Sequence, residues 1–189
     1  YATGRTLVRL PREVVAHLKL ETGFTLHGRG VARSGSAVEG ASIVLLDPMG
    51  SRTQSSDENG EFSISSLARG AGALVVNAQG YWRRQVEFHL PRDLELELIL
   101  SLSAGMSGRV LAADGSPAPG AYIYTTSEST STDAAGKFLL DKLPPGAELS
   151  VLVDYPDHAP LELSSVPLRG GEVVDVGDVA LSVGTSLRF

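Results

Sequence analysis

The chain of 189 residues contains no cysteine, which excludes disulfides and thiolate metal sites. The absence leaves the compartment open, because a sandwich of this size needs no covalent staple. Aromatic residues make up only 6%, with a single Trp, and Met occurs twice. No apolar run approaches the roughly 20 residues of a membrane span, so no membrane insertion is expected. Basic residues are outnumbered, 16 Lys+Arg against 22 Asp+Glu, for a formal charge of −6. That balance argues against nucleic acid as a partner. The chain opens at Tyr1 with neither an initiator Met nor a signal-peptide pattern, and is expected to be part of something longer.

What is abundant is turn-forming residue: 21 Gly and 10 Pro within a chain that is 42% hydrophobic. Their spacing reveals an internal repeat. A shift of 80 residues lays Tyr1 on Tyr81, Leu10-Pro11-Arg12 on Leu90-Pro91-Arg92, and Gly28-Arg29 on Gly108-Arg109. Gly35-Ser36 then falls on Gly115-Ser116, and Gly40-Ala41 on Gly120-Ala121. From there the shift becomes 76, pairing Asp57, Gly60, Phe62, Leu67 and Gly70 with Asp133, Gly136, Phe138, Leu143 and Gly146. One loop of the second copy is therefore four residues shorter. The expected division is 1–21 as terminal strands of a preceding repeat, 22–102 and 103–182 as complete units, and 183–189 as the start of a following one.

Within a unit, strand signals dominate. Leu94, Leu96, Leu98, Leu100 and Leu102 occupy alternate positions, the period of a half-buried strand. Segments 42–46, 73–76, 122–124 and 149–153 read as core strands. Asp57-Glu58-Asn59-Gly60 and Asp133-Ala134-Ala135-Gly136 read as hairpin turns, with Asp bonding its own backbone and Gly at positive φ. The first unit is expected to hold seven strands, near 24–33, 41–47, 51–56, 60–65, 72–79, 83–90 and 94–102. Pro11–Leu20 is compatible with a helix carrying Pro at its first position. Its repeat partner alternates cleanly, so both are read as strands, with a hairpin through Leu10-Pro11-Arg12-Glu13.

These residues resemble the carboxypeptidase regulatory-like domain, a β-sandwich of the transthyretin-like (prealbumin-like) type. The second copy supplies Gly108-Arg109-Val110, Asp114-Gly115, Pro117-Ala118-Pro119-Gly120-Ala121, Thr132-Asp133, Gly136, Phe138 and Leu143-Pro144-Pro145-Gly146. The first supplies Gly28, Val31, Gly35, Gly40-Ala41, Ser56-Asp57, Gly60, Phe62, Leu67, Gly70 and Gly80-Tyr81. It departs by placing Gly30 between Arg29 and Val31 and by lacking prolines at 37 and 39, which suggests a local strand bulge. The fold implied is all-β: tandem seven-stranded Greek-key-type sandwiches, with no significant helix. The resemblance implies no activity of its own. Where such a domain accompanies a metallocarboxypeptidase, catalysis belongs to a separate domain. Elsewhere it is a repeated extracellular or envelope module.

The chemistry-bearing residues agree with that. His17, His27, His89 and His158 lie in no His-x-x-Glu or His-Glu-x-x-His spacing, and no Gly-x-Ser-x-Gly elbow exists, so neither a zinc-peptidase site nor a serine nucleophile is encoded. Asp57–Glu61 is rich in oxygen ligands, but the second copy replaces most of them and adds Lys137, which argues against a shared calcium site. Lys occurs only at 19, 137 and 142, and Asn only at 59 and 77, a poor supply for an intramolecular isopeptide. No catalytic residue, metal or cofactor is expected. The most suggestive group is Tyr81, Trp82 and Arg83, where aromatic faces suit a sugar ring and the basic residue suits an acidic partner. The leading expectation is a non-catalytic spacer and protein-interaction segment of a larger bacterial secreted or cell-envelope protein. Its site would be extracellular, periplasmic or at the cell surface. Its partners would be neighbouring repeats, protein or polysaccharide. Carbohydrate binding through Tyr81 and Trp82, and an accessory role beside a hydrolase elsewhere in the parent, are the alternatives.

Overall fold

A computed structural model describes residues 23–90, 94–146 and 148–184. They form fourteen strands and no helix, in two compact units. The described part of the first comprises 23–79, 83–90 and 94–100, and that of the second 80–82, 101–146 and 148–184. The expected hairpin or helix within 1–21, and residues 185–189 of the expected following repeat, lie outside the described residues.

The first unit contains β1 (Phe24–Ala32), β2 (Ser42–Asp47), β3 (Gly50–Ser55), β4 (Glu61–Leu67), β5 (Gly70–Asn77), β6 (Arg84–Leu90) and β7 (Leu94–Leu100). They build a three-stranded sheet in the order β4-β1-β7 and a four-stranded sheet in the order β3-β2-β5-β6. The second unit repeats this with β8 (Ala104–Leu111), β9 (Tyr122–Tyr124), β10 (Ser129–Ser131), β11 (Lys137–Leu143), β12 (Glu148–Asp154), β13 (Leu161–Pro167) and β14 (Val173–Ala180). Its sheets run β11-β8-β14 and β10-β9-β12-β13, the same order strand for strand.

Alternation drives the burial. In β7 the leucines turn inward while Glu95, Glu97 and Ile99 face out, with Leu98 and Leu100 fully buried. In the first unit, Leu26, Phe62 and Ile64 from one sheet and Ile43, Leu45, Leu74 and Val76 from the other are all buried. In the second, Met106, Val110, Phe138 and Leu140 pack in one cluster with Ile123, Val151 and Val153 of the opposite sheet. A leucine or valine buried this fully stabilises by about 1.5–3 kcal/mol relative to exposure.

The glycine of each Gly-Arg pair has a steric reason. Gly28 stands opposite Phe62, and Gly108 opposite Phe138. A Cβ at either would run into that aromatic ring. The ring thus covers the gap left by the missing side chain.

Two expectations need correction. No bulge lies at Gly30, because β1 and β7 keep an unbroken register from Leu26↔Leu94 to Ala32↔Leu100. Gly30 is instead the counterpart of Val110. Its N–H donates to Gly60 O and its carbonyl accepts from Val38, as Val110 bonds Gly136 O and Ala118. The bulges sit elsewhere: between Ile64 and Leu67 in β4, at the matching place between Leu140 and Leu143 in β11, between Leu163 and Val166 in β13, and between Asp175 and Asp178 in β14. Nor is Tyr122–Tyr124 wholly a core strand. Only Ile123 is buried, and Tyr122 is 47% exposed.

Candidate functional site

Tyr81 and Trp82 follow Gly80, which turns the chain at positive φ after β5. Tyr81 forms an isolated antiparallel bridge with Leu102, and Trp82 N–H donates to Ser101 O at 2.8 Å. Ser103 returns both its N–H and its hydroxyl to Gly80 O. Both aromatic side chains are half-buried, and Arg83 is exposed.

The same backbone pattern recurs at Asp157–Ala159. His158 bridges Val183, Ala159 N–H donates to Ser182 O, and Gly184 N–H to Asp157 O. His158 thus takes the place of Tyr81. Its Nε2 accepts from Ala113 N–H at 3.2 Å, its Nδ1 lies 2.8 Å from Pro156 O, and its ring tilts against Tyr155. Those two contacts fit the neutral tautomer with the proton on Nδ1. Asp114 lies nearby. Its carboxyl is held below the ordinary carboxylate value, first by the Ser116 hydroxyl and then by the Ser116 N–H.

The oxygen-rich turns are spent on their own backbone. Asp57 Oδ1 accepts from the N–H groups of Asn59 and Glu61, and Asp133 Oδ1 from those of Ala135 and Lys137. One geometry serves both copies, including the one that carries Lys137. Among the described residues no group of three or more His, Asp or Glu side chains is placed to hold a metal ion. His27 and His89 are exposed on β1 and β6.

Two features were not read from the sequence as functional pairs. Ser56 and Thr132 are the buried polar residues of the described chain. Ser56 Oγ accepts from Ala41 N–H and donates to Val38 O, while Thr132 Oγ1 does the same between Ala121 and Ala118. Their identical offset before Asp-x-x-Gly was the available signal. The second feature is Tyr122 beside Tyr124, with ring centroids 5.4 Å apart. The period of two around Ile123 places both on the outer face.

Comparison with known proteins follows the same lines. Residues 105–182 match the family model of the carboxypeptidase regulatory-like domain. The minor pilin of the Gram-positive pathogen Streptococcus agalactiae superposes with a TM-score of 0.52 at 10% identity, covering 88% of this chain and 98% of that one. It shows the fold. A streptococcal ancillary pilin reaches 0.46 at 13% identity, covering 92% of this chain and 66% of that one. The Bacillus anthracis TIE protein reaches 0.40 at 15% identity, with 86% of this chain against 34% of that one. The chain therefore spans about a third of the TIE protein. Among curated proteins none matches. The family match thus covers most of the second sandwich, from Gly105 to Ser182, which resembles the carboxypeptidase regulatory-like domain in sequence as well as in strand pattern.

Proposed function

We propose that the chain is a non-catalytic tandem segment of a larger secreted or cell-envelope protein, serving as spacer and protein-interaction module. The observation that carries this reading is the duplicated hydrogen-bond frame. Side-chain oxygens at matched positions, Ser56 with Thr132 and Asp57 with Asp133, are all turned onto the chain's own backbone. What the two copies share is architecture. Their exposed chemistry differs, as at Tyr81 against His158. The likeness in fold to a pilin agrees with a place at the cell surface.

On this reading the first unit is a second carboxypeptidase regulatory-like domain, with units at 22–102 and 103–182. Residues 1–21 then end a preceding repeat and 183–189 begin a following one. In support, Val183 and Gly184 make the bonds that Leu102 and Ser103 make. The test is protease or antibody access to this segment in intact cells producing the full-length protein, with and without outer-membrane permeabilisation. Access outside the cytoplasmic membrane is expected. Retention in the cytoplasm overturns the reading.

A second reading, polysaccharide binding at Tyr81 and Trp82, is favoured by the half-exposed rings of a turn whose backbone bonds are already satisfied. Polysaccharide pull-down with Trp82→Ala decides it. Binding that survives the substitution removes that platform.

A further inference from the structure

The first and last strands of each unit are neighbours and run in the same direction. β1 pairs with β7 in parallel over seven consecutive positions, Leu26↔Leu94 to Ala32↔Leu100. β8 pairs with β14 in parallel from Gly105↔Val173 to Leu111↔Ala180, with one register shift. The other strand pairs in each unit are antiparallel. A parallel pair of first and last strands has a mechanical consequence. The chain enters the unit at the end where the last strand begins, and leaves at the end where the first strand finishes. Tension on the two ends therefore slides the strands past each other lengthwise.

The bonds that resist are identifiable. Gly30 N–H is directed to Gly60 O on the β4 side. Alternation then turns the backbone groups of His27, Arg29 and Val31 toward β7. In the second unit Val110 N–H goes to Gly136 O, leaving Gly105, Ser107, Arg109 and Leu111 to face β14. Both ends of that ladder are visible: Gly105 N–H donates to Glu172 O at 2.8 Å, and Leu181 N–H to Leu111 O at 2.9 Å. Bonds spaced along the direction of pull share the load, whereas bonds met from one end break in turn. Buried Leu26, Leu98 and Leu100 line the core side of the first ladder and keep water from replacing its bonds there.

We infer that the β1–β7 and β8–β14 pairs are shear clamps that make each unit a tension-bearing element. The inference rests on the spacer reading only for where tension would come from. The clamp itself is a property of the fold.

The absence of cysteine makes the test clean, since introduced pairs are the sole attachment points. Ile99→Cys with His27→Cys loads the first clamp along its strands. Ile99→Cys with Ser34→Cys pulls the same pair apart from one end. All three positions are exposed. Circular dichroism and thermal melting first confirm that both variants fold as the parent does. Forced unfolding is governed by the barrier to opening, so at one loading rate the lengthwise geometry is expected to need at least about twice the force. Equal forces, or the reverse order, overturn the clamp. They leave the spacer reading standing, which depends on the cellular location of the full-length protein. The first unit is the decisive one, because its ladder is uninterrupted.

Discussion

The two sandwiches share a strand order and a frame of matched hydrogen bonds, yet their first hairpins differ in reach. In the first unit β2 and β3 span residues 42–55, and in the second β9 and β10 span only 122–131. The four missing residues are two from each strand. Both hairpins close on a two-residue loop, Pro48-Met49 or Thr126-Ser127, shown by the pairs Asp47↔Gly50 and Thr125 with Glu128. In both, a side-chain oxygen at the entrance accepts the N–H two residues on: Asp47 Oδ1 from Met49, and Thr125 Oγ1 from Ser127. Removal by twos is what a sheet permits. A single-residue loss on one strand would turn every later side chain to the opposite face. The comparison separates what the fold demands, the turns and their bonds, from what it tolerates, the length of an edge.

The demand is most severe at the glycine of each Asp-x-x-Gly turn. Gly60 and Gly136 hold φ of 75° and 76°. A Cβ on Gly60 would meet Gly30 O and Val38 N, and one on Gly136 would meet Val110 O and Ala118 N. Alanine at either is expected to cost about 2–4 kcal/mol, from left-handed strain added to the clash. Thermal unfolding monitored separately for each unit checks this. A loss confined to one unit breaks the equivalence of the turns.

Next in size is the buried hydroxyl. Ser56→Ala strands Ala41 N–H and Val38 O, at an expected cost of about 1–3 kcal/mol. Thr132→Ser keeps both bonds and removes one methyl, so its cost is expected near 0.8 kcal/mol. Chemical denaturation of the two variants sharpens the comparison. If Thr132→Ser costs as much as Ser56→Ala, then packing, not the hydrogen bonds, makes this position matter.

Much of this frame was legible in the sequence because turns announce themselves locally. The strands lie close to where the glycines and the period of two put them, and the loss of four residues was visible as a change of shift, although it falls on the strands of the hairpin and not on its loop. Gly30 misled for a physical reason. It followed Arg29 where a match to Gly-x-Val was sought, although the shift of 80 already laid it on Val110, whose bonds it shares. Tyr122 and Tyr124 misled because three apolar letters look alike whether they face in or out. The Tyr81–Leu102 bridge joins residues 21 positions apart. No periodicity records such a contact, so the turn's backbone role was not readable while its aromatic rings were.

Gly30 also offers a gain. Its φ is not in the left-handed region, and a Cβ there would sit 3.9–4.0 Å from Gly60 O, Leu100 Cδ1 and Val38 O, ordinary contact. Its counterpart Val110 is fully buried. Gly30→Ala is expected to stabilise the first unit by about 0.4–1 kcal/mol, chiefly by narrowing the unfolded chain. A lower melting temperature would show that the first sandwich is shaped around the missing side chain.

The smallest expected effect concerns acid. Asp114 in the second unit stands where Ser34 stands in the first, each before a Gly-Ser pair. Ser36 N–H reaches Ser34 Oγ at 3.4 Å, while Ser116 N–H reaches Asp114 Oδ1 at 2.9 Å and the Ser116 hydroxyl at 2.6 Å. These bonds, the hydroxyl's first, favour the charged carboxylate and lower its folded pKa below 3.8. The sign follows from linkage. A depressed folded value adds stability that is fully present above the unfolded pKa and is lost as pH falls through the folded one. The carboxyl is fully exposed, so solvent keeps the effect small. Asp114→Ser, which copies the first unit's turn, is expected to flatten the second unit's acid dependence below pH 3.8 while leaving the first unit's unchanged. Amide shifts at Ser116 and at Ser36, followed through an acid titration, report the two turns independently. A midpoint at Ser116 that is not below the ordinary carboxylate value would mean that the Ser116 bonds do not hold the charge in solution.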